Sequence, residues 1–248
     1  MISPGRVAFT IFGVDIMWYG LLIGMGFLLA LIISYYRAPK FGIKSDHILD
    51  YLIVIIPCAI IGARAYYVIF SWDSYAGNWA KIFDIRSGGL AIHGGLILGI
   101  IGAFVLSRFL KDNILDVADL LMPTVALGQA IGRWGNFFNE EAHGYEIDGG
   151  FAVIINGHSY VPTFFYESIW CLLLFIFLIW YSKKRKFKGQ IALLYGMLYS
   201  VERFVVEGFR TDSLMIGSLR QAQVISIGIL LACLVLYIIL YMNYRRKK

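Results

Sequence analysis

The sequence predicts an all-α integral membrane protein with seven transmembrane helices, N-terminus outside and C-terminus inside, with small hairpin and loop elements on the outer face. Three observations carry this. Apolar residues make up 59% of the 248 and charged residues only 15%, with a mean hydropathy of +0.72, far from a soluble domain of this length. Seven apolar stretches reach the roughly 20 residues that a bilayer core asks of a helix. Lysines and arginines crowd into alternate connections, which sets the orientation.

The stretches span about 17–36, 48–70, 90–110, 114–137, 163–181, 191–209 and 221–241. The first has no basic segment directly before it and no small-residue cleavage site, and Arg37 and Lys40 follow as stop-transfer residues; it is expected to stay attached. All seven are too long and too unalternating for a membrane β-barrel, whereas helices satisfy their own backbone in lipid. One set of connections carries Arg37, Lys40 and Lys44, then Arg108 and Lys111, then Lys183, Lys184, Arg185, Lys186 and Lys188, then Arg245, Arg246, Lys247 and Lys248. The opposite set holds only Arg6, Lys81, Arg86, Arg210 and Arg220. The rich set is cytoplasmic, where anionic membrane lipid attracts it, so the net charge of +6 calls for no nucleic-acid partner.

Residues 1–248 read as a single integral membrane domain without internal repeats, with outer-face elements at approximately 1–16, 71–89 and 138–162. Asn156-Gly157, between two short β-prone runs in 151–161, predicts a hairpin with a type I′ turn. A second is expected in 7–16, around Gly13. Cys58, Cys171 and Cys233 fall in three different spans and form neither a metal-binding spacing nor a disulfide signal; they read as buried small apolar residues.

Ionisable residues inside spans are costly in lipid and mark function by default. The second, fourth and sixth spans run from inside to outside, and Arg64, Arg133 and Arg203 lie in the later part of each. The third span runs back and opens with Ser87-Gly88-Gly89-Leu90-Ala91-Ile92-His93, which brings His93 to the same outer level. Arg133, Asn136 and Glu140 share one helix face, as do Tyr199, Arg203 and Glu207, a stripe that Arg210 prolongs. Arginine forks suit phosphate. Each residue also has a plainer reading. Arg64 serves equally as a snorkelling residue or a structural ion pair, and Arg210 and Arg220 as interfacial charges. Glu207 fits a neutraliser of Arg203, Tyr199 an interfacial aromatic, and Gly95-x-x-x-Gly99 and Gly128-x-x-x-Gly132 helix packing. Asp116 and Asp119 read as helix-start charges, and His143 and His158 as loop histidines. The convergence of arginines and His93 favours an anion site opening to the outer leaflet, with arginines for a phosphate and a histidine for proton transfer. A transporter or flippase for an anionic lipid is the alternative; it predicts repeats, broken helices and an inward route.

The fourth span ends in Gly132-Arg133-Trp134-Gly135-Asn136-Phe137-Phe138-Asn139-Glu140-Glu141-Ala142-His143-Gly144. This resembles the signature of the prolipoprotein diacylglyceryl transferase family, G-R-x-G-N-F-x-N-x-E-x-x-G, at every fixed position. Gly62-Ala63-Arg64, His93-Gly94-Gly95, Pro162-Thr163-Phe164-Phe165-Tyr166-Glu167-Ser168 and the Arg203, Glu207, Arg210 series resemble further blocks of that family in the right order. The resemblance implies transfer of a diacylglyceryl group from phosphatidylglycerol to the lipobox cysteine of a prolipoprotein signal peptide, the first step of lipoprotein maturation, in the bacterial cell membrane. It implies His93, Arg133 and Arg203 as catalytic and Arg133, Asn136, Asn139, Glu141, Gly144, Tyr19, Tyr199, Glu207 and Arg210 as substrate-binding, with Arg64 added from its place in the second span. His93 is the candidate base, with substrate phosphate or water as the other acceptors. Neither a metal nor a cofactor is expected.

Overall fold

The computed structural model describes residues 1–85, 88–211 and 215–247. Arg86, Ser87 and Lys248, which figure in the charge and motif readings above, lie outside the described residues. All seven apolar segments are helical: α1 (Trp18–Arg37), α2 (His47–Phe70), α4 (Ile92–Leu110), α5 (Ile114–Asn139), α6 (Thr163–Ser182), α7 (Gln190–Glu207) and α8 (Gln221–Arg246), with a short α3 (Trp79–Phe83) in the connection after α2. Six of them are long and apolar enough to cross a membrane. The exception is α7, whose 18 residues include Glu202, Arg203 and Glu207.

The ends differ from the sequence reading for local reasons. The third segment starts at Ile92 rather than near Leu90, because Ala91 is extended and its N–H donates to the Ala63 carbonyl at 3.0 Å. That helix stops where Lys111 turns left-handed at φ 60°. The fourth carries its helix through the motif to Asn139.

Both expected hairpins form. β1 (Val7–Ile11) pairs antiparallel with β2 (Val14–Met17), and β3 (Val153–Ile155) with β4 (His158–Tyr160). Phe12-Gly13 and Asn156-Gly157 both have positive φ, as a type I′ turn requires. A third, two-residue pair of β5 (Met215–Ile216) and β6 (Leu219–Arg220) carries too few residues to show a period-2 pattern in the sequence.

The chain divides into two compact units, residues 1–34 with 118–248, and residues 35–117. In the second unit α2 and α4 pack backbone to backbone. A Cβ on Gly62 would collide with the Gly94 carbonyl, and one on Gly102 would come within 2.9 Å of the Cys58 sulfur. Small residues thus replace side-chain interdigitation, as helix pairs in lipid favour. In the first unit α1 meets α5 at Gly26 and Gly128, and the Ser34 and Thr124 hydroxyls share a hydrogen bond of 3.2 Å. Asp119 is fully buried and does more than offset a helix start: its carboxylate accepts from the backbone N–H groups of Gly189 (2.8 Å) and Ala192 (2.9 Å) and pairs with Arg185 (3.0 Å). It thereby caps the N-terminus of α7, whose first-turn donors would otherwise be orphaned.

Candidate functional site

α5, α6 and α7 bring two arginines and two glutamates together. Arg133 reaches from α5 with its Nε 2.9 Å from Oε2 of Glu167 on α6. Arg203 reaches from α7 with Nη1 2.8 Å from the other oxygen, Oε1, of the same carboxylate. Arg203 Nη2 also lies 2.6 Å from Glu207 Oε2, one turn along its own helix. The Glu167 side chain is 1% exposed and the two arginine side chains about a fifth exposed. One carboxylate therefore holds two guanidiniums side by side, against the repulsion that two cations would otherwise feel. Glu202, buried on α7, adds a third carboxylate within electrostatic reach of both arginines and Glu167.

Glu167 was not among the site residues expected from the sequence. Its signal was present, an acidic residue one turn into an otherwise apolar span. Its neighbour Ser168 ties α6 to α5 from the same turn, accepting from Trp134 Nε1 at 3.1 Å and donating to the Ala130 carbonyl at 2.8 Å.

The end of the motif makes a second polar group. Asn136 and Asn139 each donate their side-chain amide to Oε1 of Glu141, at 3.0 and 3.2 Å. Glu140 and Ala142 take positive φ of 57° and 56°, so the chain leaves α5 abruptly and Glu141 folds back toward its own helix. Gly144 then sits where a side chain has no room: an added Cβ would lie 2.8 Å from Val161 Cβ and 3.0 Å from the Phe209 carbonyl. Its N–H donates to the Val161 carbonyl at 2.9 Å, and it bridges to Arg210 in an antiparallel pair, which fixes the segment after α7 beside the motif. Tyr19, in the first turn of α1, lays its ring on Gly135, where an added Cβ would approach Cδ2 to 2.5 Å. Tyr199 lies one turn before Arg203 and stacks on Tyr195, ring centroids 5.6 Å apart.

Arg133, Arg203, Glu207, Asn136, Asn139, Glu141, Gly144, Arg210, Tyr19 and Tyr199 thus all belong to the first compact unit, whereas Arg64 and His93 belong to the second. Arg64 is 6% exposed and donates to the carbonyls of Lys81, Ile82, Asp84, Gly88 and Gly89 at 2.6–3.0 Å and to the Tyr75 hydroxyl at 3.3 Å. All three of its nitrogens are spent on one connection, so the geometry is that of a clamp on residues 75–84 and on Gly88 and Gly89. His93 is exposed in the first turn of α4, its ring 6.1 Å from that of Tyr66.

A family model described as Prolipoprotein diacylglyceryl transferase matches residues 6–239. The chain is 50% identical over 234 residues to the phosphatidylglycerol--prolipoprotein diacylglyceryl transferase of Finegoldia magna, covering 94% of each chain. It is 49% identical to the proteins of the same name from Clostridioides difficile, over 90% of each chain, and Clostridium novyi, over 94% of each chain. With a match of that length, and with the motif residues gathered on α5, α6 and α7, the chain belongs to the prolipoprotein diacylglyceryl transferase family.

Proposed function

We propose that this protein transfers the diacylglyceryl group of phosphatidylglycerol to the thiol of a lipobox cysteine in a prolipoprotein signal peptide, as a multi-pass enzyme of the bacterial cell membrane. The observation that carries the reading is the pair Arg133 and Arg203 held by one buried carboxylate, in a chain whose relatives carry that activity in their names. α7 completes seven spans, the N-terminus lies outside, and the site opens to the outer leaflet; the alternation of lysine and arginine between connections supports that orientation. The chain acts as a single membrane domain.

The chemistry follows from the parts. A thiolate attacks the glyceryl carbon of the lipid, a sulfur–carbon bond forms, and the carbon–oxygen bond to phosphate breaks. The electron pair leaves with glycerol phosphate, whose second negative charge develops as that bond breaks. Arg133 and Arg203 hold the phosphodiester and stabilise this charge, and they are preorganised for it because Glu167 and Glu207 already fix their planes. A lipid phosphate competes with these carboxylates for the guanidiniums. Asn136 and Asn139, aligned by Glu141, offer amides to lipid oxygens. Gly144 lets the segment before α6 pass close to Arg210, and Tyr19 closes the side toward α1. The family resemblance names His93 for the thiol proton, with substrate phosphate or water as the other acceptors. Arg64 acts through the connection it clamps and is a positioning residue.

The test is release of glycerol phosphate from phosphatidylglycerol labelled in its headgroup, with a lipobox peptide and with the same peptide carrying serine for cysteine. Release with the cysteine peptide alone supports the reading. Release that ignores the cysteine would make the protein a lipid hydrolase, and no release with either peptide would refute the reading.

A further inference from the structure

The N-terminal hairpin carries a surface that the transferase reading leaves unused. Its register sets Phe9 opposite Ile16 and Ile11 opposite Val14 on one face, and Thr10 opposite Asp15 on the other. On that second face the Thr10 hydroxyl donates to the Asp15 carboxylate at 2.7 Å. A two-stranded ribbon needs something to cover its apolar face before it is stable. Here Phe9, Ile11 and Val14 are 46%, 48% and 63% exposed, and Phe12 at the turn is fully exposed. Phe12 has φ 49°, a conformation that Asn or Gly adopts at less cost, so turn geometry does not explain a large ring at the tip.

Two features at the base of the ribbon bear on what covers it. β2 ends at Met17 and α1 begins at Trp18 without a linker, and α1 opens the candidate span Trp18–Phe41. The ribbon therefore runs directly into the end of a candidate membrane-crossing helix. The base of the ribbon is also fastened to the motif: Arg6 donates to the Asn139 carbonyl at 3.3 Å, and Trp18 stacks on Phe138 with centroids 4.8 Å apart. The base of the ribbon is thus tied to the end of α5.

We infer that the hairpin of residues 7–17 is a membrane-interface anchor, its apolar face and Phe12 lying at the acyl-chain boundary of the leaflet where α1 begins, and its Thr10–Asp15 face turned to the headgroups. Amphipathic elements with apolar residues on one side and polar ones on the other settle at that depth, and aromatic residues are favoured there. Because Arg6 and Trp18 join the ribbon to Asn139 and Phe138, the anchor fixes the height of the motif relative to the lipid. The inference rests on the membrane placement of α1 and not on the transfer chemistry, so its test does not depend on activity.

The experiment uses the full chain with Cys58, Cys171 and Cys233 replaced by alanine, reconstituted in phosphatidylglycerol–phosphatidylethanolamine vesicles. A polarity-sensitive fluorophore is attached at Phe12→Cys, at Val14→Cys, or at Gly157→Cys in the other hairpin. The inference predicts that probes at 12 and 14 emit to the blue of the probe at 157, are quenched by nitroxide-labelled acyl chains, and are shielded several-fold from aqueous iodide. Having two positions guards against one substitution disturbing the turn. Probes at both 12 and 14 that iodide quenches as readily as the probe at 157 would overturn it and leave the face to a water-borne polypeptide.

Discussion

Replacing Glu167 by glutamine tests whether one carboxylate organises the two arginines. The amide keeps the volume and one acceptor oxygen, but it turns the other position into a donor facing a guanidinium. Each charge-assisted hydrogen bond of this kind contributes about 1.5–3 kcal/mol. Glutamine forfeits one of the two, to Arg133 Nε at 2.9 Å or Arg203 Nη1 at 2.8 Å, and leaves the other assisted by the guanidinium charge alone. One forfeited bond and one weakened bond, screened in part because the arginine side chains are about a fifth exposed, place the total at about 2–3 kcal/mol. If that energy serves to hold the guanidiniums where phosphate charge develops, kcat/KM for transfer falls roughly 30- to 150-fold, at ~1.4 kcal/mol per factor of ten. Glu167→Asp keeps the charge but is shorter by one methylene and cannot span both partners, so it falls between the two. The assay is the rate of peptide lipidation at limiting phosphatidylglycerol, with thermal unfolding in detergent as the check on folding. A folded glutamine variant within about threefold of the parent would refute the idea that the carboxylate acts through the arginines.

Arg133→Lys keeps a cation and loses the fork, and transfer should drop at least about tenfold with normal membrane insertion; near-full activity would reduce Arg133 to a generic charge. Gly144→Ala places a methyl 2.8 Å from Val161 Cβ and 3.0 Å from the Phe209 carbonyl, and the backbone there is already paired, so it should cost about 1–3 kcal/mol in thermal unfolding together with loss of transfer. Arg64→Lys cannot reproduce a six-acceptor clamp, and tryptic cleavage after Lys81 should accelerate by at least about tenfold, read by mass spectrometry; unchanged cleavage would deny the clamp. His93→Ala should abolish most transfer at neutral pH and recover part of it as pH approaches the ordinary thiol pKa of about 8.5, because a substrate thiol that ionises unaided needs no base. A variant as active as the parent removes His93 from the mechanism.

Much of the fold was legible because lipid imposes a simple rule on sequence. Runs of apolar residues gave the helices to within a few positions, and Asn156-Gly157 announced a hairpin through the φ values that turn demands. What was not legible were partners set by side-chain reach between distant segments. Asp119 looks like a helix-start charge in the sequence, yet it serves the start of another helix some 70 residues on, through Gly189 and Ala192. Glu167 stood in a recognised block, but spacing along one helix cannot show that its two oxygens meet arginines from two others. Arg64 shows the converse: an arginine in an apolar span suggested a ligand, and its donors turn out to hold backbone carbonyls, which have no sequence signature. Asn136, Asn139 and Glu141 were found by motif, while the left-handed residues Glu140 and Ala142 that fold them together were not.

The most direct measurement of the central claim is the mass of both reactants after a single incubation. Protein in which Cys58, Cys171 and Cys233 are alanine is mixed with phosphatidylglycerol and a lipobox peptide, and peptide and protein are each weighed intact. Direct transfer predicts that the peptide gains one diacylglyceryl group on its cysteine, less the displaced proton, while the protein mass is unchanged. An unmodified peptide beside well-folded cysteine-free protein, when the parent lipidates it, would contradict direct transfer and require a lipid intermediate carried on the enzyme's own sulfur.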